Sequence, residues 1–531
     1  MHSLLDPVSP GMIDRVLAAC GGGRMLHVGP GAEAVAARHR ARAVDAIALA
    51  DLPTGRIAVA DRSFDLVAAY GCFDALDASA RHHLFGELLR ASRRAVLVLA
   101  SGRPREHWDR AFLAHDCRRH PLHQLLVPYE GLDWLTDPAL MLYERLPDDA
   151  RVGRALGDLA AGRDLHMDML REAGRRADAH VARYMLARQF VRPGDRVLDA
   201  ACGLGYGSAI LADATLAARV TGIDIDADAI RYAREHYGAG RSRLGFDARD
   251  LASLRDLPAD SVDVVVSFET IEHIAEPEAF LRECTRLLTP AGRIIGSIPN
   301  RWVDESGRDP NPHHLHVFDR RSIESLFRTH VFIEGVYGQT AGGGMKLPHA
   351  GRALWAADDD PRDAEWWIVT GMKTPMAKSA APFRHGLTAR ADAGGSNALA
   401  FARDYENPWI VRAMVTIGLR SESPALLDHL AGATLETAAA DSADAGAALC
   451  VRAYRALERG AQASDADALV ASIDDYGARG TTTPHVVRWQ ISLRYVQALL
   501  LLSSGDRGGA LRAFEACASA DALLFSPLLS T

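Results

Sequence analysis

Short apolar runs alternate with amphipathic stretches from residue 12 to about 376, and the alternation falls into two blocks. In the first block, Met25–Gly29, Phe64–Ala69, Ala95–Ala100, His123–Val127 and Leu140–Tyr143 read as buried strands. Helical spacing over Ala32–Arg40 and Arg81–Ser92 separates some of them, and a short further segment runs around Asp45–Asp51. In the second block, a helix from Asp178 to Gln189 leads into strands over 195–200, 219–225, 243–246, 261–268, 292–298, 331–337 and 365–371. Helices are expected between them over 208–216, 227–236, 277–288 and 320–329. This alternation predicts two α/β units, each an open, mostly parallel sheet with helices on both faces. The last two strands, separated by a Gly/Asp-rich stretch over 341–363, are expected to pair as an antiparallel edge.

The strand pattern is interrupted over 148–177, which is charged, alanine-rich and fits a helical connector. It ends before 377–404, whose unpatterned Ala, Gly and Ser read as a linker. Residues 405–531 keep helical spacing almost throughout. Val486–Leu502, Gly505-Asp506 and Ala510–Ala520 have the helix–turn–helix look of a tetratricopeptide unit, without a clean repeat period. The expected organisation is thus 12–147, a connector over 148–177, 178–376, a linker over 377–404, and a helical module over 405–531.

Composition narrows the function classes. At 531 residues the chain exceeds one ordinary core, and 60 basic against 68 acidic residues leave a net charge of −8. No broad basic field is expected, so nucleic acid is a disfavoured partner. The cysteines at 20, 72, 117, 202, 284, 450 and 517 form no C-x-x-C pair, as expected of buried thiols in a reducing compartment. The longest apolar run, Tyr495–Leu502, falls short of the ~20 residues of a membrane span, and no secretory pattern opens the chain. The cytoplasm is the expected location.

The chemistry concentrates in the second block. Arg196–Ser208 (RVLDAACGLGYGS) reads as a buried strand, a turn with Gly203, Gly205 and Gly207, and the start of a helix. Glycines there let the backbone approach a ligand, and the helix N-terminus favours a negative group. Asp224 ends the next strand, where a carboxylate can accept hydrogen bonds from ribose hydroxyls; otherwise it would cap the following helix. Asp247 and Asp250 lie in an acidic turn suited to an adenine amino group. The dinucleotide fingerprint G-x-G-x-x-G requires glycine at 208, where this chain has Ser208.

Val262–His273 (VDVVVSFETIEH) and Pro277–Asn300 complete the set. With VLDAACGLGYGS and VTGIDIDADAIRYARE, these motifs closely resemble the class I S-adenosylmethionine-dependent methyltransferases, over roughly 178–376. The resemblance implies a Rossmann-like, mostly parallel seven-stranded sheet and S-adenosylmethionine as cofactor. It implies that Asp199, Gly203 and Gly205 hold the methionine end, with Cys202 in the same turn as a small packing residue and not a nucleophile. Asp224, with Ile225 beside it, would hold the ribose, and Asp247 with the Ala248 amide would meet the adenine, Asp250 competing for that part. Phe268 would line the cofactor. The first block carries an eroded version: FDLVAAYGCFDAL echoes the fourth-strand motif, while Pro30 removes an N–H from the turn His27–Gly31. It is expected to be a degenerate copy serving as scaffold or docking unit.

A hydroxyl acceptor would benefit from a general base, and His273, just after the fourth strand, is the leading candidate, with a structural histidine as its alternative. Asn311–Asp319 (NPHHLHVFD) follows the fifth strand and resembles a loop of sugar- and small-molecule-acting members. His314 is its residue expected to face the pocket, and the loop is read as substrate-lining, with no metal assigned. The expected activity is O-methylation of a sugar or glycan in surface polysaccharide biosynthesis. A quinone or other aromatic acceptor is the enzymatic rival, and a scaffold in a glycosyltransferase complex is the non-catalytic one. The C-terminal helices are the candidate surface for a protein partner.

Overall fold

The computed structural model describes residues 23–40, 45–49, 56–133, 139–148, 168–302, 309, 311–342, 346–347, 349–357, 360–376, 383, 405–420, 423–460, 463–481 and 483–521. The expected connector falls mostly, and the expected linker almost wholly, outside them.

The second block builds an eight-stranded sheet. In chain order its strands are β7 (Arg196–Ala200), β8 (Arg219–Asp224), β9 (Leu244–Ala248), β10 (Val262–Phe268), β11 (Leu288–Pro299), β12 (Phe332–Thr340), β13 (Ala353–Ala356) and β14 (Trp366–Met372). Their spatial order is β13-β12-β14-β11-β10-β7-β8-β9. β11, β10, β7, β8 and β9 pair in parallel, and β14, β12 and β13 in antiparallel. β10 is buried along its whole length, which explains why its sequence, VDVVVSF, shows apolar residues without strict alternation. Eight strands replace the expected seven because Ala353–Ala356, read as loop, pairs with the end of β12. β14 also sits inside the sheet, between β11 and β12.

The direction of travel reverses between β7 and β10: the chain moves outward through β8 and β9, then crosses back. Ligands of open α/β sheets bind at such a point, outside the carboxyl ends of the strands.

The first block repeats this plan in a smaller sheet. Its strands are β1 (Arg24–Val28), β2 (Asp45–Leu49), β3 (Phe64–Tyr70), β4 (Ser92–Ala100), β5 (Cys117–Arg119) and β6 (Ala139–Arg145), ordered β2-β1-β3-β4-β6-β5. β6 and β5 are antiparallel. The expected strand His123–Val127 is instead a short helix, His123–Leu126. Its apolar run was too short to reveal its period, and it packs against the helix Arg175–Ala187, where Gln124 donates to the Asp178 carbonyl at 2.9 Å. The outer strand is the polar Cys117–Arg119, buried because Arg118 pairs with Glu144 (2.6 Å) and Arg119 with Asp178 (2.5 Å).

Helix Arg175–Ala187 lies between the two sheets. Ala179 and Ala182 share an apolar cluster with Tyr129, Leu140 and Trp366. The Tyr129 hydroxyl donates to the Thr340 carbonyl (2.7 Å), and Arg352 reaches Asp178 (2.8 Å). The first sheet therefore braces the end of the second where β12 finishes and β14 begins. Among the described residues, six helices over 408–521 follow. They dock at the opposite end: Ala291 and Met372 join their core, and Arg412 reaches Asp195 at 2.9 Å. No helix among the described residues is long and apolar enough to cross a membrane.

Candidate functional site

β7 ends in three left-handed residues, Ala201 (φ 65°), Gly203 (φ 54°) and Gly205 (φ 85°), which turn the chain directly into the helix Tyr206–Ala214. Its glycines have different duties. A Cβ at Gly205 would meet Ala233 and Phe246 at 2.7–2.8 Å, and one at Gly207 would enter the Tyr184 ring at 1.9 Å. A Cβ at Gly203 would meet nothing within 4 Å, because Gly203 opens onto a cavity. No side chain caps the helix that follows.

Asp199 lies beneath the turn, fully buried, accepting from the Ser208 hydroxyl (2.6 Å) and the Tyr184 hydroxyl (3.2 Å). Burial raises its carboxyl to about 7 against those two hydrogen bonds. Cys202 is buried beside it, and burial holds its thiol well above the ordinary range, as befits a packing residue.

The cavity, about 750 Å³, sits at the carboxyl ends of β7, β8 and β10. Asp224 is fixed at its floor, accepting from the amides of Gly203 (2.8 Å) and Asp226 (3.0 Å). Capping of the next helix falls to Asp226, which accepts from the Asp228 and Ala229 amides. Ile225 is 71% exposed on the rim, a large apolar surface that a ligand would cover. Asp250, Leu251 and Phe268 form other walls. Asp247 and Ala248 lie outside the lining; Asp247 is engaged by Arg249 at 3.3 Å. Asp250, which accepts from the Ala252 amide (2.9 Å), is the acidic residue of that turn on the wall.

At the far wall β10 continues into Glu269, a non-glycine residue at φ 51°, then Thr270 and the helical turn Ile271–His273. Strain at a cavity wall persists only where neighbours over-determine it. Here the Glu269 carboxylate is held by Arg183 (3.0 Å), the Ser297 hydroxyl (2.9 Å) and the Trp366 indole N–H (2.9 Å). Glu272 is 1% exposed, and neither carboxylate oxygen has a hydrogen-bond partner among the described residues. Burial, then the Glu269 charge, pushes it well above the usual carboxylate range.

His273 lines the cavity, its Nδ1 at 2.9 Å from the His313 carbonyl, and burial lowers its pKa. His314 stands behind it, ring centroids 4.7 Å apart, outside the cavity lining, with Nδ1 at 2.6 Å from Asp309. The histidine loop disperses: His316 Nε2 meets the Ile274 carbonyl, and Asp319 caps the helix Arg320–Arg328. His314 is the ring of this loop that meets His273. The cavity thus gathers Gly203, Asp224, Ile225, Asp250, Phe268 and His273, while Asp199, Cys202 and Gly205 support the turn from below. Glu269 and Glu272 received no role from sequence, although both acidic residues stand in the motif Phe268–His273.

The cradle fits S-adenosylmethionine in its chemistry: a backbone-fixed carboxylate for hydroxyls, an exposed apolar rim, and a glycine whose missing Cβ admits the ligand. In the first sheet the corresponding turn is closed. A Cβ at Gly29 would meet Cys72 Sγ at 2.4 Å and the Tyr70 carbonyl at 2.5 Å, and the Tyr70 hydroxyl meets His27 Nδ1 at 2.9 Å.

A parallel sheet ending in antiparallel strands, with a ligand-sized crevice at its reversal point, defines a Rossmann-like domain of the methyltransferase type. Sequence comparison agrees: residues 198–296 match the methyltransferase domain family. The chain is 39% identical over 155 residues to a probable S-adenosylmethionine-dependent methyltransferase of Mycolicibacterium smegmatis, covering 29% of this chain and 58% of that one. A similarly described protein of Mycobacterium tuberculosis is 37% identical over 140 residues (26% and 48%). A ubiquinone biosynthesis O-methyltransferase of Idiomarina loihiensis is 34% identical over 110 residues (21% and 44%). The chain spans about half the length of these curated relatives. Among solved structures, a methyltransferase of Aquifex aeolicus matches at 18% identity over 36% of this chain and 88% of that one, with a TM-score of 0.27.

Proposed function

We propose that the chain is a working S-adenosylmethionine-dependent O-methyltransferase whose acceptor is a hydroxyl of a sugar or glycan. The observation that carries the reading is Asp224, held by two backbone amides on the floor of a cavity that Gly203 leaves open. Asp224 would take the ribose hydroxyls, Ile225 and Phe268 the flat faces of the adenosine, and Asp250 its amino group. The cofactor supplies the methyl group on a sulfonium that is already a strong leaving group. The residues of the chain therefore have mainly to position the acceptor and handle its proton. His273 stands where the acceptor enters, kept neutral by burial, with His314 behind it. The intact carboxylates of the cavity support an enzyme over a scaffold.

Similarity to a ubiquinone biosynthesis O-methyltransferase supports a second reading, in which the acceptor is a quinone precursor or other phenol. Incubation with labelled S-adenosylmethionine and a panel of nucleotide sugars, glycans and phenols decides between them. His273→Ala is expected to keep cofactor binding and lose turnover; retained turnover would remove His273 from the acceptor site.

A further inference from the structure

We propose that Glu272, His273 and His314 form a binding site for a first-row transition-metal dication such as Zn²⁺ or Mn²⁺, at the acceptor wall of the cavity. One ligand atom from each residue falls within 4.8 Å of the others. The grouping is enforced by the backbone, since the amides of Leu315 and His316 both donate to the Glu272 carbonyl (2.8 and 3.2 Å) and pin the histidine loop against the end of β10.

Two independent features point to a cation. The first is the Glu272 carboxylate, 1% exposed and without a hydrogen-bond partner for either oxygen among the described residues. Leaving a buried carboxylate unmatched is costly, and such groups pair with a charge or coordinate a metal. Arg183, the nearby guanidinium, pairs with Glu269 (3.0 Å) and donates to Gln339 (2.7 Å), and makes no hydrogen bond to Glu272. The second is the setting of the imidazoles. His273 Nδ1 faces the His313 carbonyl, and His314 Nδ1 faces Asp309. An acceptor on Nδ1 fixes the N–H there and leaves the Nε2 lone pair for a ligand, the outer arrangement that orients metal-binding histidines. His314 Nε2 lies 3.1 Å from the Asn311 amide nitrogen, a bond the cation would displace.

Two imidazoles and one carboxylate suit transition-metal dications better than Mg²⁺ or Ca²⁺, which favour oxygen donors. Three protein ligands leave at least one position open, and His273 places that side on the cavity. On this assignment His273 serves as a ligand in place of a general base, and an acceptor hydroxyl binds at the open position. The site itself stands on geometry; only its use in holding the acceptor rests on the methyltransferase reading.

The test uses the full chain, stripped with chelator and dialysed against Zn²⁺, Mn²⁺ or Mg²⁺, with bound metal counted and thermal stability followed. The expected result is one Zn²⁺ or Mn²⁺ per chain, no retained Mg²⁺, and a metal-dependent rise in Tm. Glu272→Gln and His314→Ala are each expected to abolish the retained metal and the rise. Glu272→Gln puts a neutral amide of the same size in place of the unpartnered carboxyl, so its metal-free form is expected to fold about as well as the parent. Asp309→Asn, which touches His314 at Nδ1 and not at the proposed ligand atom Nε2, is expected to weaken binding by about 10–100-fold. Sub-stoichiometric metal on the parent chain, or equal retention by both ligand variants, would overturn the site. S-adenosylmethionine titrated into the same samples separates the two readings. Cofactor binding without metal retention overturns the metal site alone, whereas metal retention without cofactor binding supports the site and removes the methyltransferase reading.

Discussion

Asp199 has a carboxyl that ends a buried strand, lies under a ligand turn and is raised by burial to about 7. A folded-state pKa above the unfolded value near 4 means the group favours folding while protonated. That contribution is complete below pH 4 and is lost as the pH rises through 7, on the order of 4 kcal/mol in all. Asp199→Asn cannot ionise. Without cofactor, the Tm of the Asn variant relative to the parent is therefore expected to climb between pH 5.5 and pH 8. A cationic cofactor should lower the Asp199 pKa and shrink the difference. A pH-independent difference would contradict the assignment. At this scale the readable residues were those in contiguous motifs: Gly203, Asp224 and His273. The choice of Asp250 over Asp247 for the cavity wall was not readable, because it depends on Arg249 claiming Asp247. Nor was the isolation of Glu272, which follows from Arg183 and Trp366, 89 residues before and 94 after it, being committed to Glu269.

One turn divides folding from binding among its glycines. Gly203→Ala adds a methyl where nothing stands within 4 Å, with a left-handed backbone cost of about 1 kcal/mol. Its Tm is expected to drop by a few degrees while cofactor affinity falls at least tenfold, because the methyl enters the cavity. Gly207→Ala meets the buried Tyr184 ring and is expected to destabilise the fold by several kcal/mol, seen as a large loss of Tm before any effect on affinity. Calorimetry and thermal denaturation of the two variants check this; equal profiles would contradict it. The alternation of strands and helices was legible in both blocks, since parallel strands buried on both faces leave apolar runs. Among the elements that escaped, Ala353–Ala356 is short and joins the sheet only at its edge, and Cys117–Arg119 is a strand of buried arginines whose ion pairs cannot be seen in sequence.

Across the molecule, the same topology appears twice and only one copy keeps an open turn. The first sheet packs beside the second at the end where the cavity lies, through Asp178, which accepts from both Arg119 and Arg352. Burial raises the Asp178 carboxyl, yet Arg119, then Arg105 and Arg352, hold it below the usual value overall. A depressed carboxyl stabilises the fold above its unfolded pKa near 4 and loses that contribution as the pH falls further. Asp178→Ala takes the shared carboxylate from two guanidiniums, leaving Arg119 the Met169 carbonyl and Arg352 the Asp133 carboxylate, and is expected to cost about 3 kcal/mol. It should also flatten the loss of stability below pH 4, which acid-unfolding curves of parent and variant measure. The C-terminal helices dock at the opposite end, around Asp195, Ala291 and Met372, so a partner bound there would leave the cavity mouth open. That repeated topology was visible as a faint echo in sequence. The joint between the sheets was not, because it is made of single side chains far apart in the chain.

The central claim is that this cavity binds S-adenosylmethionine through Asp224, and calorimetric titration of the cofactor into the full chain tests it most directly. One site of micromolar affinity is expected, weakened at least tenfold in Asp224→Ala; no binding, or an affinity untouched by Asp224→Ala, would contradict the account.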